Sequence, residues 1–486
     1  MKEKVGWIET ELGQVCSKIV DGTHHTPEYT ETGIPFISVK DIYNEKVSFR
    51  NCRHVSYETH RELIKRCCPE PNDLLITKSG TIGRMAIVPN KPEFSLFVSV
   101  ALLKNYKSTI YSKFLLYSLE NYLNSINISQ DIKGGLLKNF HLEDIRITKI
   151  NLAPLPEQRA IVSKIELLFS ELDNGIANLK LAQEQLKVYR QAVLKKAFEG
   201  ELTRKWREQQ TNLPDAGTLL EQIRKEREEA AKTSGKKVKP VKHLTEEELA
   251  NLNRLPSEWH WVKIGDITLG VEYGTSAKSK ESGDVVVLRM GNIQNGRIEW
   301  NDLVYTSDKA EIEKYLLRKD DILFNRTNSP ELVGKTAIYK GEKTAIFAGY
   351  LIRINQLPTL VVADYLNYFL NCPIAKINGN SVKTDGVNQS NINGEKLRNY
   401  PFPFCSILEQ QAIVQEIETR LSICDKVEQD IEDNLVIAEA LRQSILKKAF
   451  EGKLLNEKEL ADVRMAEDWE PAEVLLERIR AEKTRK

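Results

Sequence analysis

The sequence lacks several features that would assign it to a common class of protein. It has no apolar run near the roughly 20 residues that a membrane-spanning helix needs, and its start, MKEKVGWIETELG, lacks the apolar stretch of a signal peptide. Its cysteines include no CxxC pair, and no His/Cys cluster has zinc spacing. We therefore expect a soluble, cytoplasmic protein with reduced thiols and no metal site.

The chain also lacks an excess of charge of either sign. Its 486 residues include 70 Lys and Arg against 69 Asp and Glu, which gives a formal net charge of +1. The general electrostatic argument for nucleic-acid binding is therefore absent, and any contact with DNA must come from local basic patches. The length predicts about two to four globular units.

Complete catalytic motifs are lacking as well. The run VGKT at 333–336 has the Gly-Lys-Thr of a phosphate-binding loop, but Ser329 stands where that motif requires its first glycine. The tetrad NCPI at 371–374 resembles part of an amino-methyltransferase motif, yet it lacks the second proline and the aromatic ring. No nucleophile elbow, paired carboxylate site or nucleotide-binding glycine fingerprint is present. We predict that the chain alone is not an enzyme.

What the sequence does contain is a long internal repeat. The string LKKAFEG occurs at 194–200 and returns 252 residues later at 446–452. At the same offset, residues 157–202 align with 409–454 without a gap, and Trp7 aligns with Trp259. The chain is therefore a tandem duplication.

The duplication gives each half a variable globular segment followed by a well-matched helical segment. Short β-like runs alternate with turns in both globular segments before each becomes helical, which predicts a mixed α/β fold with a curved, mostly antiparallel sheet plus helices. The predicted parts are globular segment 1 (1–153), the first helical segment (154–205), a charged linker with short helices (206–256), globular segment 2 (257–404), the second helical segment (405–456) and a charged helical tail (457–486).

Each helical segment carries an apolar stripe. In the first segment, apolar or small residues recur at steps of three and four from Ile161 to Val193, which is typical of a coiled coil. About 44 helical residues span roughly 65 Å at 1.5 Å per residue, and a small domain cannot cover a helix of that length. The predicted partner is the duplicate helix, in an antiparallel coiled coil that holds the two globular segments apart with pseudo-twofold symmetry.

The two LKKAFEG copies admit two interpretations. One is a helix C-terminus, where lysines complement the helix dipole and Gly200 ends the helix in a left-handed conformation. That interpretation does not explain why both faces of the helix end are nearly identical in the two copies. The other is a pair of equivalent docking surfaces for two copies of a partner. The docking candidates are Lys195, Lys196, Phe198, Lys447, Lys448 and Phe450.

Polar loops between paired strands are the candidates for DNA contact. Arg and Lys suit guanine edges and phosphates, whereas Asn and Gln suit adenine edges. For any single residue the alternative is an ordinary solvated loop. The segment DGTHHTP at 21–27 is predicted as a structural or DNA-contacting loop rather than a metal site. The candidates are Lys78, Ser79, Thr81, Arg84, Lys133 and Lys138 in the first half, and Asn325, Arg326, Asn328, Lys335, Lys383, Asn388 and Gln389 in the second.

These motifs resemble the specificity (S) subunit of type I restriction-modification enzymes over essentially the whole chain. The resemblance rests on LPEQRAIVSKIE, LEQQAIVQEIE, both LKKAFEG copies, DGTHHTP, and SGTIG at 79–83; the second half has TNSPELVG where SGTIG stands in the first. Membership implies two target-recognition domains, each reading one half of a bipartite, asymmetric DNA site. It also implies two methyltransferase subunits that bind S-adenosylmethionine, and restriction subunits that use ATP and magnesium. No cofactor is then expected in this chain.

Functions of other classes stay as alternatives. A duplicated coiled-coil adaptor would bind only protein, and sequence-dependent DNA affinity distinguishes it from a specificity subunit. A self-sufficient nuclease or methylase fused to recognition domains is disfavoured by the missing motifs.

Overall fold

The computed structural model describes residues 4–125, 140–234, 242–387 and 389–484. The predicted DNA contacts Lys133, Lys138 and Asn388 lie outside the described residues. Within these ranges, no helix is long and apolar enough to cross a membrane.

Globular segment 1 forms small sheets that are mostly antiparallel. Its strands are β1 (Ile8–Glu11), β2 (Cys16–Asp21), β3 (Ile34–Ile37), β4 (Ile42–Tyr43), β5 (Lys46–Val47), β6 (Arg53–Val55), β7 (Leu74–Thr77), β8 (Met85–Ile87), β9 (Ser95–Leu96), β10 (Val100–Asn105) and β11 (Lys149–Leu152). Its helices are α1 (Leu12–Val15), α2 (Tyr57–Arg66), α3 (Ser112–Ser125) and α4 (Leu142–Ile147). The central sheet has the antiparallel order β2-β10-β7-β8, and β3 pairs in parallel only with β9.

A 44-residue helix follows this segment, and three shorter helices lead to the second half. They are α5 (Leu155–Phe198), α6 (Arg204–Glu208), α7 (Ala216–Ser234) and α8 (Glu246–Ala250). The Thr245 hydroxyl accepts a hydrogen bond from Glu248 N at 3.1 Å, and the Glu248 carboxylate accepts one from Thr245 N at 2.8 Å. This capping box begins α8, as the spacing of the two residues predicts.

Globular segment 2 repeats the same arrangement. Its strands are β12 (His260–Lys263), β13 (Thr268–Tyr273), β14 (Val285–Leu288), β15 (Ile293–Gln294), β16 (Arg297–Ile298), β17 (Val304–Thr306), β18 (Ile322–Asn325), β19 (Thr327–Asn328), β20 (Thr336–Ile338), β21 (Ala345–Phe347), β22 (Leu351–Gln356), β23 (Thr384–Asp385), β24 (Ser390–Asn391) and β25 (Pro401–Phe404). Its helices are α9 (Lys309–Tyr315), α10 (Ala363–Asn371), α11 (Pro373–Val382) and α12 (Gly394–Arg398). The sheet order β13-β22-β18-β20 matches that of segment 1.

A second 44-residue helix and two helices of the tail complete the chain. They are α13 (Ile407–Phe450), α14 (Glu457–Arg464) and α15 (Ala472–Thr484). The predicted mixed α/β class, with small antiparallel sheets and long helices, is confirmed.

The contacts divide the chain into two compact units. Unit 1 comprises residues 1–180 and 432–486, and unit 2 comprises residues 181–431. Each unit therefore combines one globular segment with the nearer part of its own long helix and a part of the other long helix.

In each unit, a charged helix packs on the core. In the sequence, this helix lies near the end of each repeat. In unit 1, Leu476 and Ile479 of α15 join the core, with side chains 2% and 0% exposed. In unit 2, Leu219 and Ile223 of α7 join the other core at 1% and 6% exposed. The similar runs LLERIRAEK and LLEQIRKER are thus similar because their apolar positions cover equivalent cores.

The long-helix parts inside each unit run antiparallel. In unit 1, Asp173 of α5 forms an ion pair with Arg442 of α13, while Lys164, earlier in α5, lies 2.8 Å from Glu459 of α14. Residue numbers therefore decrease along α5 in the direction in which they increase through α13 and into α14. The Arg442 guanidinium also lies 4.3 Å from the centre of the Phe169 ring.

Unit 2 repeats this pairing at the 252-residue offset. Arg190 bonds Asp425 at 2.7 Å and Glu428 at 2.8 Å, whereas Thr203 donates to Glu409 at 2.8 Å. Asp425 and Arg190 correspond by sequence to Asp173 and Arg442, with the two long helices exchanged. The same ion pair therefore occurs once in each unit, as the tandem duplication predicts.

Candidate nucleic-acid interface

The Glu-Gln pair at the start of each long helix fastens a globular segment to that helix. In unit 1 the buried Glu157 carboxylate accepts a hydrogen bond from Trp7 Nε1 at 2.7 Å. In unit 2 the buried Glu409 accepts one from Trp259 Nε1 at 2.9 Å. The tryptophans and glutamates share one sequence offset, so the Trp–Glu contact is the same in both halves.

The neighbouring glutamines act in the same way. Gln158 donates to Ala153 O at 2.8 Å and accepts from Tyr111 N at 2.9 Å. Gln410 donates to Cys405 O at 2.9 Å and accepts from Val362 N at 2.9 Å. Both glutamines are 0% exposed, so their amides satisfy backbone groups that water does not reach. The EQ motif therefore has a structural role: its two buried side chains attach the globular segment to the start of the long helix.

In unit 1, the loop between β7 and β8 is held closed by Thr77. Its hydroxyl donates to Thr81 O at 2.6 Å and accepts from Arg84 N at 2.9 Å. Gly80 and Gly83 adopt φ angles of +75° and +84°, a left-handed backbone that glycine adopts without strain. The run SGTIG is therefore a tight turn. It leaves Thr81 and Arg84 exposed and Ser79 half-buried.

The first residue of this loop, Lys78, is mostly covered. Its Nζ lies 3.1 Å from Asp21 Oδ2, and its side chain is 12% exposed. Asp21, the first residue of DGTHHTP, is itself 3% exposed, and Arg66 Nη2 lies 2.7 Å from its Oδ1. His24 Nε2 lies 3.3 Å from the same oxygen. The segment DGTHHTP therefore belongs to a charged cluster beside the predicted DNA-contacting loop.

Unit 2 has the equivalent loop between β18 and β20, with different chemistry. Its first residue, Arg326, places its guanidinium 4.8 Å from the centre of the Tyr273 ring. Asn325 takes the position of Thr77, because Asn325 N donates to Lys335 O at 2.8 Å as Thr77 N donates to Arg84 O. Its side chain is 0% exposed, and neither amide atom has a partner among the described residues.

The remaining candidates of the second half are brought partly together. Thr327 and Asn328 of β19 pair with β24, which forms a hairpin with β23. Lys383, just before β23, donates to Pro330 O at 3.1 Å, and the side chain of Gln389 is exposed at the hairpin. Lys335 Nζ instead donates to Gln294 Oε1 at 2.9 Å, on the β15–β16 hairpin.

The LKKAFEG copies combine exposed lysines with buried phenylalanines. Lys195 and Lys196 are 56% and 59% exposed, and Lys447 and Lys448 are exposed as well. Gly200 ends α5 with φ +74°, and Gly452 follows α13 with φ +73°. The helix-terminus interpretation of these glycines is therefore confirmed.

The prediction that Phe198 and Phe450 belong to a docking surface is wrong. Phe198 is 0% exposed, with its ring centre 5.1 Å from that of Tyr365. Phe450 is 4% exposed, with its ring centre 5.2 Å from that of Phe114. Each ring seals the core of its own unit, because a phenylalanine at this helix position faces the globular segment.

Two residues of this site are missing from the sequence prediction. Arg66 is the last residue of α2, where a basic residue is common because it complements the helix dipole. The sequence therefore gives no indication that Arg66 contacts Asp21. Tyr273 occupies the position of Asp21 at the 252-residue offset, and this alignment is the signal that locates it.

A comparison with known protein families assigns the chain. Residues 4–181 and 256–435 each match the type I restriction modification DNA specificity domain. The chain belongs to this family. It is a DNA-specificity subunit of a type I restriction-modification system, as the repeat and its motifs predict, and the protein-only adaptor is not supported.

Relatives of similar length agree with this assignment. The type I restriction enzyme EcoKI specificity subunit of Escherichia coli (strain K12) is 25% identical over 494 residues, which cover 98% of this chain and 96% of that protein. The StySPI specificity subunit of Salmonella potsdam is 24% identical over 492 residues, with coverages of 98% and 96%.

Solved structures of low sequence identity share the fold. A chain from work on complex assembly and conformational transition of the type I R-M system superposes with a TM-score of 0.63 at 16% identity, covering 93% of this chain and 100% of that one. The HsdS subunit from Thermoanaerobacter tengcongensis superposes with a TM-score of 0.55 at 17% identity, with coverages of 93% and 99%.

Proposed function

We propose that each unit reads one half of a bipartite, asymmetric DNA site. One observation carries this proposal: the two units share a scaffold but differ in the side chains at the same loop. Lys78 on Asp21 stands in unit 1 where Arg326 on Tyr273 stands in unit 2. Similar scaffolds with different polar groups suit two half-sites of different sequence.

Partner subunits supply the chemistry in this proposal. Two methyltransferase subunits would bind S-adenosylmethionine and modify adenine, and restriction subunits would use ATP and magnesium, so this chain is non-catalytic and carries no cofactor of its own. The duplication supports two equivalent partner sites. Each LKKAFEG copy contributes two exposed lysines at a helix end.

Exposed apolar residues along the long helices add to the proposed docking surface. Val188 and Ile423 in unit 2 are 70% and 60% exposed, and Val436 and Ile437 in unit 1 are 71% and 59% exposed. A helix that leaves such residues in water supports a helical partner that covers them.

The test of the half-site proposal is to co-express the chain with the methyltransferase subunit of its system and to map methylated adenines over the genome. We expect a split motif with a fixed spacer. Arg84→Ala should weaken recognition of one half, and Lys335→Ala should weaken the other, because each loop belongs to one unit. Equal damage to both halves by either variant would contradict the proposal, as would a wild-type complex without a sequence-dependent pattern.

The docking proposal has a separate test. Reversing the four LKKAFEG lysines, Lys195, Lys196, Lys447 and Lys448, to glutamate should release the methyltransferase in size-exclusion chromatography while circular dichroism stays unchanged. Lys205→Glu with Lys458→Glu is the matched control, since both lysines are exposed and lie outside LKKAFEG. Retained assembly in the fourfold variant would show that these lysines do not form the docking surface.

A further inference from the structure

We propose that Arg66 reads a guanine edge in the half-site of unit 1 and that Asp21 is the residue that positions it. The inference rests on the proposed half-site function and adds to it a particular residue pair. Arg66 Nη2 lies 2.7 Å from Asp21 Oδ1; the arginine side chain is 56% exposed and the aspartate 3%. A buried carboxylate thus holds one nitrogen of a guanidinium whose side chain is more than half exposed.

Lys78 has a different task in this cluster. Its Nζ bonds the other carboxylate oxygen of Asp21 at 3.1 Å, and its 12% exposure leaves little of it for a ligand. Lys78 therefore balances the charge of Asp21, and the positive charge of Arg66 stays available for DNA. A buried carboxylate requires such a counter-ion.

The backbone around Arg66 is held as well. Lys18 Nζ donates to Arg66 O at 2.6 Å, which satisfies a carbonyl at the end of α2. His24 lies beside the pair, with Nε2 3.3 Å from Asp21 Oδ1. Both the main chain and one edge of the guanidinium are therefore fixed before any ligand arrives.

This fixed geometry favours a base over a phosphate. Guanine O6 and N7 accept two hydrogen bonds in one plane, so reading them requires a guanidinium of defined orientation. A phosphate accepts from many directions, and a mobile surface lysine serves it well. An arginine that is exposed and also held by a buried carboxylate has the properties of a base-reading residue.

Unit 2 supports this interpretation by contrast. Its residue at the position of Asp21 is Tyr273, whose exposed ring lies under the guanidinium of Arg326. An ion pair orients the arginine in one half, whereas stacking orients it in the other. The two halves thus present an arginine from different elements, the end of helix α2 in unit 1 and the loop after β18 in unit 2, as two unlike half-sites require.

The experiment maps methylation by the complex of this chain with its methyltransferase, for wild type, Arg66→Lys, Arg66→Gln and Asp21→Asn. We expect each variant to lose its guanine preference at one position of one half-site, on the order of tenfold, with the other half unchanged. Lys65→Gln is the matched control, because Lys65 is 69% exposed on the same helix and pairs with Glu62. It should leave the motif intact.

Arg66→Lys decides between base and phosphate, since lysine keeps the charge and loses the planar fork. If Arg66→Lys keeps the motif while Arg66→Gln weakens all sites uniformly, Arg66 contacts a phosphate and the inference is overturned. An unchanged motif in both Arg66 variants also overturns it. Because Arg66 is exposed, its variants keep the test valid even if Asp21→Asn fails to fold. A wild-type complex without a split motif would instead reject the half-site proposal itself.

Discussion

The glutamate of each Trp–Glu contact also forms an ion pair with an arginine, Arg207 in unit 2 and Arg464 in unit 1. We predict that Arg207 stabilises unit 2 far more than Arg464 stabilises unit 1. Arg207 bonds Glu409 Oε1 through Nε at 2.9 Å and through Nη2 at 2.7 Å, with side chains only 10% and 1% exposed. In unit 1, Arg464 lies 3.6 Å from Glu157 and is 39% exposed. The informative perturbations are therefore Arg207→Met and Arg464→Met, which remove the charge and keep most of the volume.

The expected magnitudes follow from burial. Arg207→Met leaves the Glu409 carboxylate buried with only the neutral donors of Thr203 and Trp259, and removing one partner of a buried ion pair costs about 3–5 kcal/mol. The Arg464 pair is longer and more than a third exposed, so solvent screening reduces its contribution to about 0–1 kcal/mol. The two variants should differ by at least about 2 kcal/mol in the free energy of unfolding.

Hydrogen–deuterium exchange of the full chain, read peptide by peptide, is the suitable assay because it separates the units. Arg207→Met should accelerate exchange in the β13-β22-β18-β20 sheet and leave the β2-β10-β7-β8 sheet at its wild-type rate. Denaturant titration gives the corresponding loss of free energy. The reasoning would be refuted by equal losses in the two variants, or by a loss below about 1 kcal/mol for Arg207→Met.

Three further predictions concern the cores and the loops. Phe198→Ala should cost about 3–5 kcal/mol and raise exchange in unit 2, whereas Phe450→Ala should do so in unit 1. Thr77→Val should cost about 1–3 kcal/mol and accelerate exchange in loop 78–84, whereas Thr77→Ser should not. Burial and the Glu45 carboxylate raise the pKa of Glu120 from 4.5 to about 7. Ionised Glu120 therefore costs stability above pH 7 and neutral Glu120 costs none below pH 4.5, so Glu120→Gln should raise the thermal midpoint at pH 8 and not at pH 4.5.

The sequence predicts the repeated scaffold well because a repeat reports equivalent positions directly. The 252-residue offset pairs Trp7 with Trp259, and the structure gives both indoles the same glutamate contact. The physical reason for the EQ motif is not visible in the sequence, because each glutamate meets its tryptophan across 150 residues of chain. Periodicity and spacing describe neighbours along a helix, whereas this contact depends on tertiary folding.

Individual site residues are harder to predict for the same reason. Near-identity of the LKKAFEG copies indicates that their residues matter, but it does not separate a side chain that seals the core, such as Phe198, from one that faces solvent, such as Lys195. Lys78 is a residue type that suits a DNA contact, yet its ammonium group already forms an ion pair with Asp21. Arg66 has the exposure that a DNA contact needs, and only the fold brings it to Asp21.

The positions that the two units share, and those at which they differ, separate the tasks of the molecule. The Trp–Glu contact, the buried glutamines and the Asp–Arg pair between the long helices occur in both units, and all of them fix geometry. Asp21 and Tyr273 occupy one place and differ in charge, whereas the loop residues beside them, Lys78 and Arg326, share a positive charge and differ in shape. Because the differences lie at strand ends and in loops supported by a common scaffold, the proposed reading of a different target sequence requires no change in the long helices. Under the proposed function, recognition of each half-site can therefore vary while the contacts that fix each unit stay the same.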